Sequence, residues 1–382
     1  MSKVLKEKED RTPSFFNISS LIIDEDYFWF VANNLNGLFQ IERASGNLNL
    51  VGVIPNEGMF QRQLYFKGLK YNEYLVFAPA LAKEIAIYDT KRREFVKLAF
   101  EAPRIRSERW SSKRHQFFGI NVYKNFVFII GCYYPGIIRI DMEDFTLLYL
   151  DQWVESLERL SLSKTMYFRQ ASIVEGTKLY IPCSMANAIL VYDLETLEFE
   201  LEMLEQCRVG ISDFYVKDDT FWFTPRQGIL LGKGKVGDKE LVQQEEYVLN
   251  IDEPENFREI IVSDNKMYVF FIHNQRLFVF DYLSDKYHFV ELTEWKSDVD
   301  SGYGIRYQAY SFIHPLEDGL MYFDTVNMQL VIIKKNKVVA TYCCQISPNI
   351  YREWLKSGYK VAGCMEGEEG SLKEYLAFIS RC

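Results

Sequence analysis

No run of about 18 apolar residues occurs in the 382-residue chain, so nothing in it reads as a helix that spans a bilayer. The opening residues, Met1 to Arg11, alternate charges where a signal peptide carries an unbroken apolar stretch, and export by that route is not expected. Cysteine is limited to Cys132, Cys183, Cys207, Cys343, Cys344, Cys364 and Cys382, an odd set without Cys-x-x-Cys spacing. Such a set suggests neither a disulfide framework nor a zinc site, and the expected setting is a reducing cytoplasm. Positive charge is short as well: 44 Lys and Arg face 53 Asp and Glu, for a net charge of −9. A nucleic-acid partner calls for a basic surface, so none is expected, and any cationic site must be local. No Gly-x-Ser-x-Gly elbow and no paired Cys/His constellation marks a catalytic nucleophile.

Aromatic and branched apolar residues in short recurring strands are abundant. Hydrophobic residues make up 48% and aromatics 16%, a composition suited to half-buried pleated surfaces and an extensive core. Seven apolar segments, often ending in an acidic residue, recur: Gly37–Glu42, Glu84–Asp89, Gly136–Asp141, Ala188–Asp193, Gly228–Leu231, Arg276–Asp281 and Gln329–Ile333. Each follows another: Phe28–Phe30, Leu75–Phe77, Phe126–Phe128, Leu179–Ile181, Phe221–Phe223, Met267–Val269 and Met321–Phe323, at intervals of roughly 40 to 50 residues. Turn residues sit at the expected reversals, among them Val174-Glu175-Gly176, Lys217-Asp218-Asp219, Ser45-Gly46 and Glu195-Thr196. The pattern predicts an all-β, seven-bladed β-propeller of four-stranded antiparallel blades, with strands a to d running outward from a central channel. In the second unit, strand a falls near Gln63–Tyr71, b at Tyr74–Ala78, c at Glu84–Asp89 and d at Glu94–Phe100.

The strand endings Ile87-Tyr88-Asp89 and Val191-Tyr192-Asp193 resemble those of kelch-, NHL- and YVTN-type propeller repeats, over about residues 14–346. The resemblance implies the fold alone: the Gly-Gly doublets of kelch repeats and the Trp-Asp pair are absent, so no functional residues carry over. Residues 1–13 read as an unpaired leader and 347–382 as a helical tail. In that tail, Leu372, Tyr375, Leu376 and Ile379 take the i, i+3, i+4 and i+7 positions of an amphipathic helix capped by Ser371, which either packs on the propeller or docks a partner. The fifth unit departs from the repeat. Its Gly232–Asp238 stretch resembles a phosphate-binding loop in composition but lacks the strand-to-helix context, and it reads as a hairpin loop.

Six of the seven units place an arginine where strand a begins: Arg62, Arg114, Arg169, Arg208, Arg258 and Arg306. In a propeller these positions and the b–c loops surround one channel mouth, so several guanidinium groups could converge on a carboxylate or phosphate, which the planar fork grips with paired hydrogen bonds. Gln63, Gln116, Gln170 and Gln308 would add neutral donors and acceptors, and Tyr167 and Tyr307 flat faces. The alternative is structural: the same arginines would bridge blades by pairing with acidic strand ends. The Glu101–Lys113 loop adds Arg104, Arg106, Arg109 and Trp110 on the same face, as part of the site or as a solvated connection. Of four histidines, His115 and His273 fall at the mouth, whereas His288 lies on a d strand and His314 toward the opposite face. Asp213, Asp324 and Glu259 lack the regular spacing of a metal site.

These features favour a non-catalytic propeller that binds an anionic small molecule, acidic saccharide or protein carboxylates, without cofactor, metal or membrane. A second reading is a lyase or hydrolase on acidic saccharides, with arginines holding a uronate and His115, Tyr167 or Tyr307 as base. Propeller lyases resemble the chain in length, but four scattered histidines do not assemble the metal-binding cluster of the oligogalacturonide lyases. A third is a scaffold that binds protein through its rim and C-terminal helix.

Overall fold

The computed structural model describes residues 16–361 apart from 19, 170, 205–209, 219, 226–231, 236–241, 244–256, 264–265, 272–275, 282–283, 285, 292–309, 317–318, 325–326 and 335–336. Seven four-stranded antiparallel sheets stand in a ring, each built from four strands consecutive in the chain, to form a seven-bladed β-propeller. Blade 1 comprises Ile22–Ile23, Tyr27–Val31, Leu38–Glu42 and Leu48–Gly52; blade 2 comprises Tyr65–Tyr71, Tyr74–Pro79, Glu84–Asp89 and Glu94–Ala99. Blade 7 ends the ring with Tyr310–Leu316, Gly319–Asp324, Gln329–Lys334 and Lys337–Cys343, and among the described residues takes no strand from the other terminus. The b and c strands are covered on both faces by neighbouring blades, which is why Phe126–Gly131 and Glu84–Asp89 are buried at all but their first residue and read as continuous apolar runs. The outer strand Glu94–Ala99 is only half covered and carries the charge.

Turn chemistry repeats from blade to blade. In blades 2 to 5, strands a and b join through two-residue loops whose first residue is left-handed: Asn72 (φ 50°), Lys124 (φ 53°), Gly176 (φ 59°) and Asp218 (φ 49°). Positive φ at that position matches the right-handed twist of the flanking strands. The acidic residue ending strand c has an equally local cause. Asp89 Oδ1 accepts the Lys91 and Arg92 amides at 2.8 and 2.9 Å, and Asp193 Oδ1 those of Glu195 and Thr196, both at 2.9 Å. Each turn then closes with the amide of Arg93 or Leu197 donating back to the Asp89 or Asp193 carbonyl. The repeat signature is therefore a capping device for the c–d turn. Asp89→Ala is expected to destabilise the protein by about 1–2 kcal/mol in urea unfolding, because two amides beside a buried carboxylate lose their acceptor; Asp89→Asn, which keeps an acceptor oxygen, should cost less.

Blade 5 corrects the sequence reading. Gly232–Lys235 is strand c, not a hairpin loop: Gly232 pairs with Phe223 and Lys235 with Thr220. Gly228–Leu231, expected to form that strand, lie outside the described residues. A β-carbon on Gly232 would stand 2.0 Å from the Phe223 ring, so the cross-strand aromatic occupies the space that glycine leaves.

The first and last blades share a core that includes Phe16, Phe30, Phe39, Met321, Phe323 and Leu330. It is completed by a C-terminal helix, Pro348–Val361, whose Tyr351 and Trp354 are buried in it. The helix expected at Ser371–Ile379 lies outside the described residues.

Candidate functional site

The mouth is framed by a backbone pattern that repeats between blades. In blades 2, 3 and 4 the segment before strand a is held by carbonyls of the preceding b–c loop: Gln63 N donates to Asn33 O at 2.7 Å, Gln116 N to Ala80 O at 2.8 Å and Tyr167 N to Cys132 O at 2.8 Å. Its own b–c loop returns the contact, with Leu81 N donating to Gln63 O, Tyr133 N to His115 O and Ser184 N to Tyr167 O. These ladders bring residues from different blades to one rim.

On that rim the structure joins Gln63 and His115, 52 residues apart: His115 Nε2 donates to Gln63 Oε1 at 2.8 Å. Gln63 reaches this position from a left-handed backbone (φ 54°), a conformation an ordinary side chain takes only where its surroundings enforce it. The imidazole lies near the Phe66 and Phe118 rings, and burial lowers its pKa below the usual histidine value, which keeps it neutral at pH 7.

Arg114 precedes it. Its guanidinium lies 4.9 Å from the centre of the Tyr133 ring, and Nη1 donates to Arg109 O at 3.1 Å. Its side chain is exposed and, among the described residues, forms no ion pair. Tyr133 had no place in the sequence reading; an aromatic pair ahead of Pro135-Gly136 in a b–c loop was the signal available.

The Glu101–Lys113 loop is pinned at several points. Arg109 is partly buried and donates to Glu158 Oε1 (3.3 Å), Thr165 O (3.1 Å), Ser161 Oγ (2.6 Å) and Ser163 O (3.0 Å). Arg104 pairs with Glu101 at 3.2 Å and sits over Tyr149. Trp110 Nε1 donates to Gln116 Oε1 at 2.7 Å, while Gln116 Nε2 donates to the Ser111 and Arg114 carbonyls. Gln116 is thus buried and engaged within its own loop. Tyr167 is buried too: its hydroxyl meets Glu158 and Ser107, Arg109 lies over its ring, and burial raises its pKa well above the usual phenol range.

Arg169 donates to Ser212 Oγ at 2.7 Å and so links blades 4 and 5. Arg62 is exposed just before Gln63. Arg258 lies in strand Phe257–Ser263, whereas Gln170, Arg208, Arg306, Tyr307, Gln308 and His273 lie outside the described residues. Asp213, considered for a metal, accepts the amides of Phe214 (2.8 Å) and Ile260 (2.7 Å) and ties blade 5 to blade 6. Asp324 accepts the Asn327 amide and side chain in a b–c turn.

No protein-family model matches the chain, and no curated protein sequence matches it. Among solved structures it is similar to a catalytically inactive virginiamycin B lyase from Staphylococcus aureus with quinupristin, at 13% identity over 87% of this chain and 94% of that one (TM-score 0.60). It is also similar to BamB from Moraxella catarrhalis, at 9% identity over 80% and 82% of the two chains (TM-score 0.54). A chain of the mitotic checkpoint complex matches at 7% identity over 87% and 89% (TM-score 0.54). Likeness at these identities is one of fold: a β-propeller.

Proposed function

We propose that this propeller is a binding protein that takes an anionic ligand, a carboxylate or phosphate group, at the channel mouth around Arg114. The observation that carries the reading is the state of Arg114. Its guanidinium stacks on Tyr133, donates one hydrogen bond to a backbone carbonyl and forms no ion pair among the described residues. A permanently charged, pre-oriented fork of this kind pairs with a carboxylate or phosphate through charge-assisted hydrogen bonds. Beside it, His115 is neutral and shares a hydrogen bond with Gln63, which supplies polarity without competing charge. Arg62 and Arg169 are the further arginines proposed for this mouth.

Calorimetric titration with inorganic phosphate, galacturonate and oligogalacturonate tests the reading. Arg114→Ala should weaken whichever ligand binds by about 1.5–3 kcal/mol, the value of a hydrogen bond to a charged group. His115→Ala should leave affinity within a few-fold. Absence of saturable binding across these probes would overturn the proposal, and ultraviolet-absorbing unsaturated products from the oligosaccharide would replace it with a lyase.

A further inference from the structure

The geometry points to Trp354, on the C-terminal helix, as a positioning residue for the Gln63–His115 pair at the channel mouth, an inference that builds on the binding site proposed above. Trp354 is 1% exposed and its indole Nε1 donates to Asn36 O at 2.7 Å, a contact across 318 residues of chain. Its ring meets Phe60 edge-on with centroids 5.2 Å apart. One turn further along the helix, Met59 fills the space beside Gly358: a β-carbon there would stand 2.0 Å from the Met59 Sδ. Glycine is disfavoured inside a helix, and the close approach of Met59 is the reason one fits here.

Asn36 is completely buried, and every hydrogen-bonding group on it is engaged. Its amide donates to Met59 O (2.9 Å), its Nδ2 to Ile54 O (2.9 Å) and Glu57 O (3.1 Å), and its Oδ1 accepts Ile54 N (3.3 Å). The segment between blades 1 and 2 is thereby stapled to the b–c loop of blade 1. Four residues beyond Met59 stands Gln63, whose amide bonds to Asn33 O in that same loop and whose side chain holds His115. Helix, loop and segment form one packed body, and the left-handed backbone at Gln63 depends on both its flanks being fixed. Displacing the helix would release the Met59–Gln63 segment, and with it the orientation of His115 beside Arg114.

The test reads the imidazole directly. With only four histidines in the chain, selective ¹³C labelling and the His115→Gln spectrum assign the His115 ring. In the wild-type protein its titration midpoint should lie below the usual histidine value; Trp354→Phe, which removes the indole donor, should move it back toward that value. Its effect on inorganic phosphate binding should stay within a few-fold, no larger than that of His115→Ala, so the imidazole is the readout that decides. Leu190→Ala, in the core between blades 3 and 4, destabilises the protein without touching this segment and should leave the midpoint in place. Should Trp354→Phe not fold, Gly358→Ala pushes Met59 aside more gently and should shift the midpoint in the same direction. An unchanged midpoint in the helix variants, or an equal shift in Leu190→Ala, would overturn the inference. If wild-type protein binds no phosphate, the binding proposal loses that ligand while the imidazole measurement still decides the role of Trp354.

Discussion

Lys97→Met is expected to destabilise the protein by about 3–5 kcal/mol, the typical loss when one partner of a buried ion pair is removed. The Lys97 ammonium, 9% exposed, sits between Glu84 Oε2 at 2.9 Å and Glu57 Oε1 at 3.4 Å and donates to Pro55 O at 2.8 Å. The Glu57 side chain has no exposed surface, and its Oε2 has no hydrogen-bond partner among the described residues. Removing the ammonium leaves two carboxylates facing each other across a blade junction, one of them fully desolvated. The hydrogen bond from Lys97 also holds the Glu84 pKa below its usual range, a benefit the variant loses. Adding Glu57→Gln should recover part of the loss, so a double-mutant cycle in urea should give a coupling energy of at least about 1 kcal/mol. A single-variant cost below that figure would mean that the cluster contributes no net stability.

Between pH 7 and 4.5 the protein should lose about 2–3 kcal/mol of stability through His314 alone. This residue lies in the innermost strand of blade 7, where burial, with the charge of Lys67 in blade 2 adding to it, lowers its pKa to about 4. The unfolded chain protonates near 6.5, so the folded state resists a proton that the unfolded state accepts. Stability from this group is therefore full above pH 6.5, declines as the pH falls and levels off below about 4. His115 shifts in the same direction, which makes the decisive measurement a difference: urea midpoints at pH 7 and 4.5 for wild type and His314→Gln. A wild-type pH dependence no steeper than that of the variant would exclude His314 as its source.

Blade count and most strand boundaries were legible because their causes are local. In blade 2 the expected strand c, Glu84–Asp89, coincides with the observed one, since the apolar run, the acidic turn cap and the two-residue a–b loop are all local in the chain. Blade 5 shows where that logic gave out. A Gly/Lys stretch has no strand propensity of its own, and Gly232–Lys235 is extended because Phe223 covers the glycine and the Trp222 face receives Lys233. A helical tail was expected over 347–382 and Pro348–Val361 is a helix, but its place in the tail was not legible, because its burial comes from a loop of blade 1 that sequence does not place beside it.

Arg109 and Arg114 show the same division within the candidate site. In sequence they are two arginines of one basic loop. In the fold, Arg109 is enclosed by Glu158 and by carbonyl and hydroxyl groups of Ser161, Ser163 and Thr165, 49 to 56 residues away, whereas Arg114 rests on the face of Tyr133. Sequence determined that this chain repeats a four-stranded unit, how each unit turns, and that arginine and glutamine recur where strand a begins. Only the tertiary structure decided which arginine holds the protein together and which is presented outward, because a guanidinium takes its role from the acceptors that distant segments bring within about 3 Å of it.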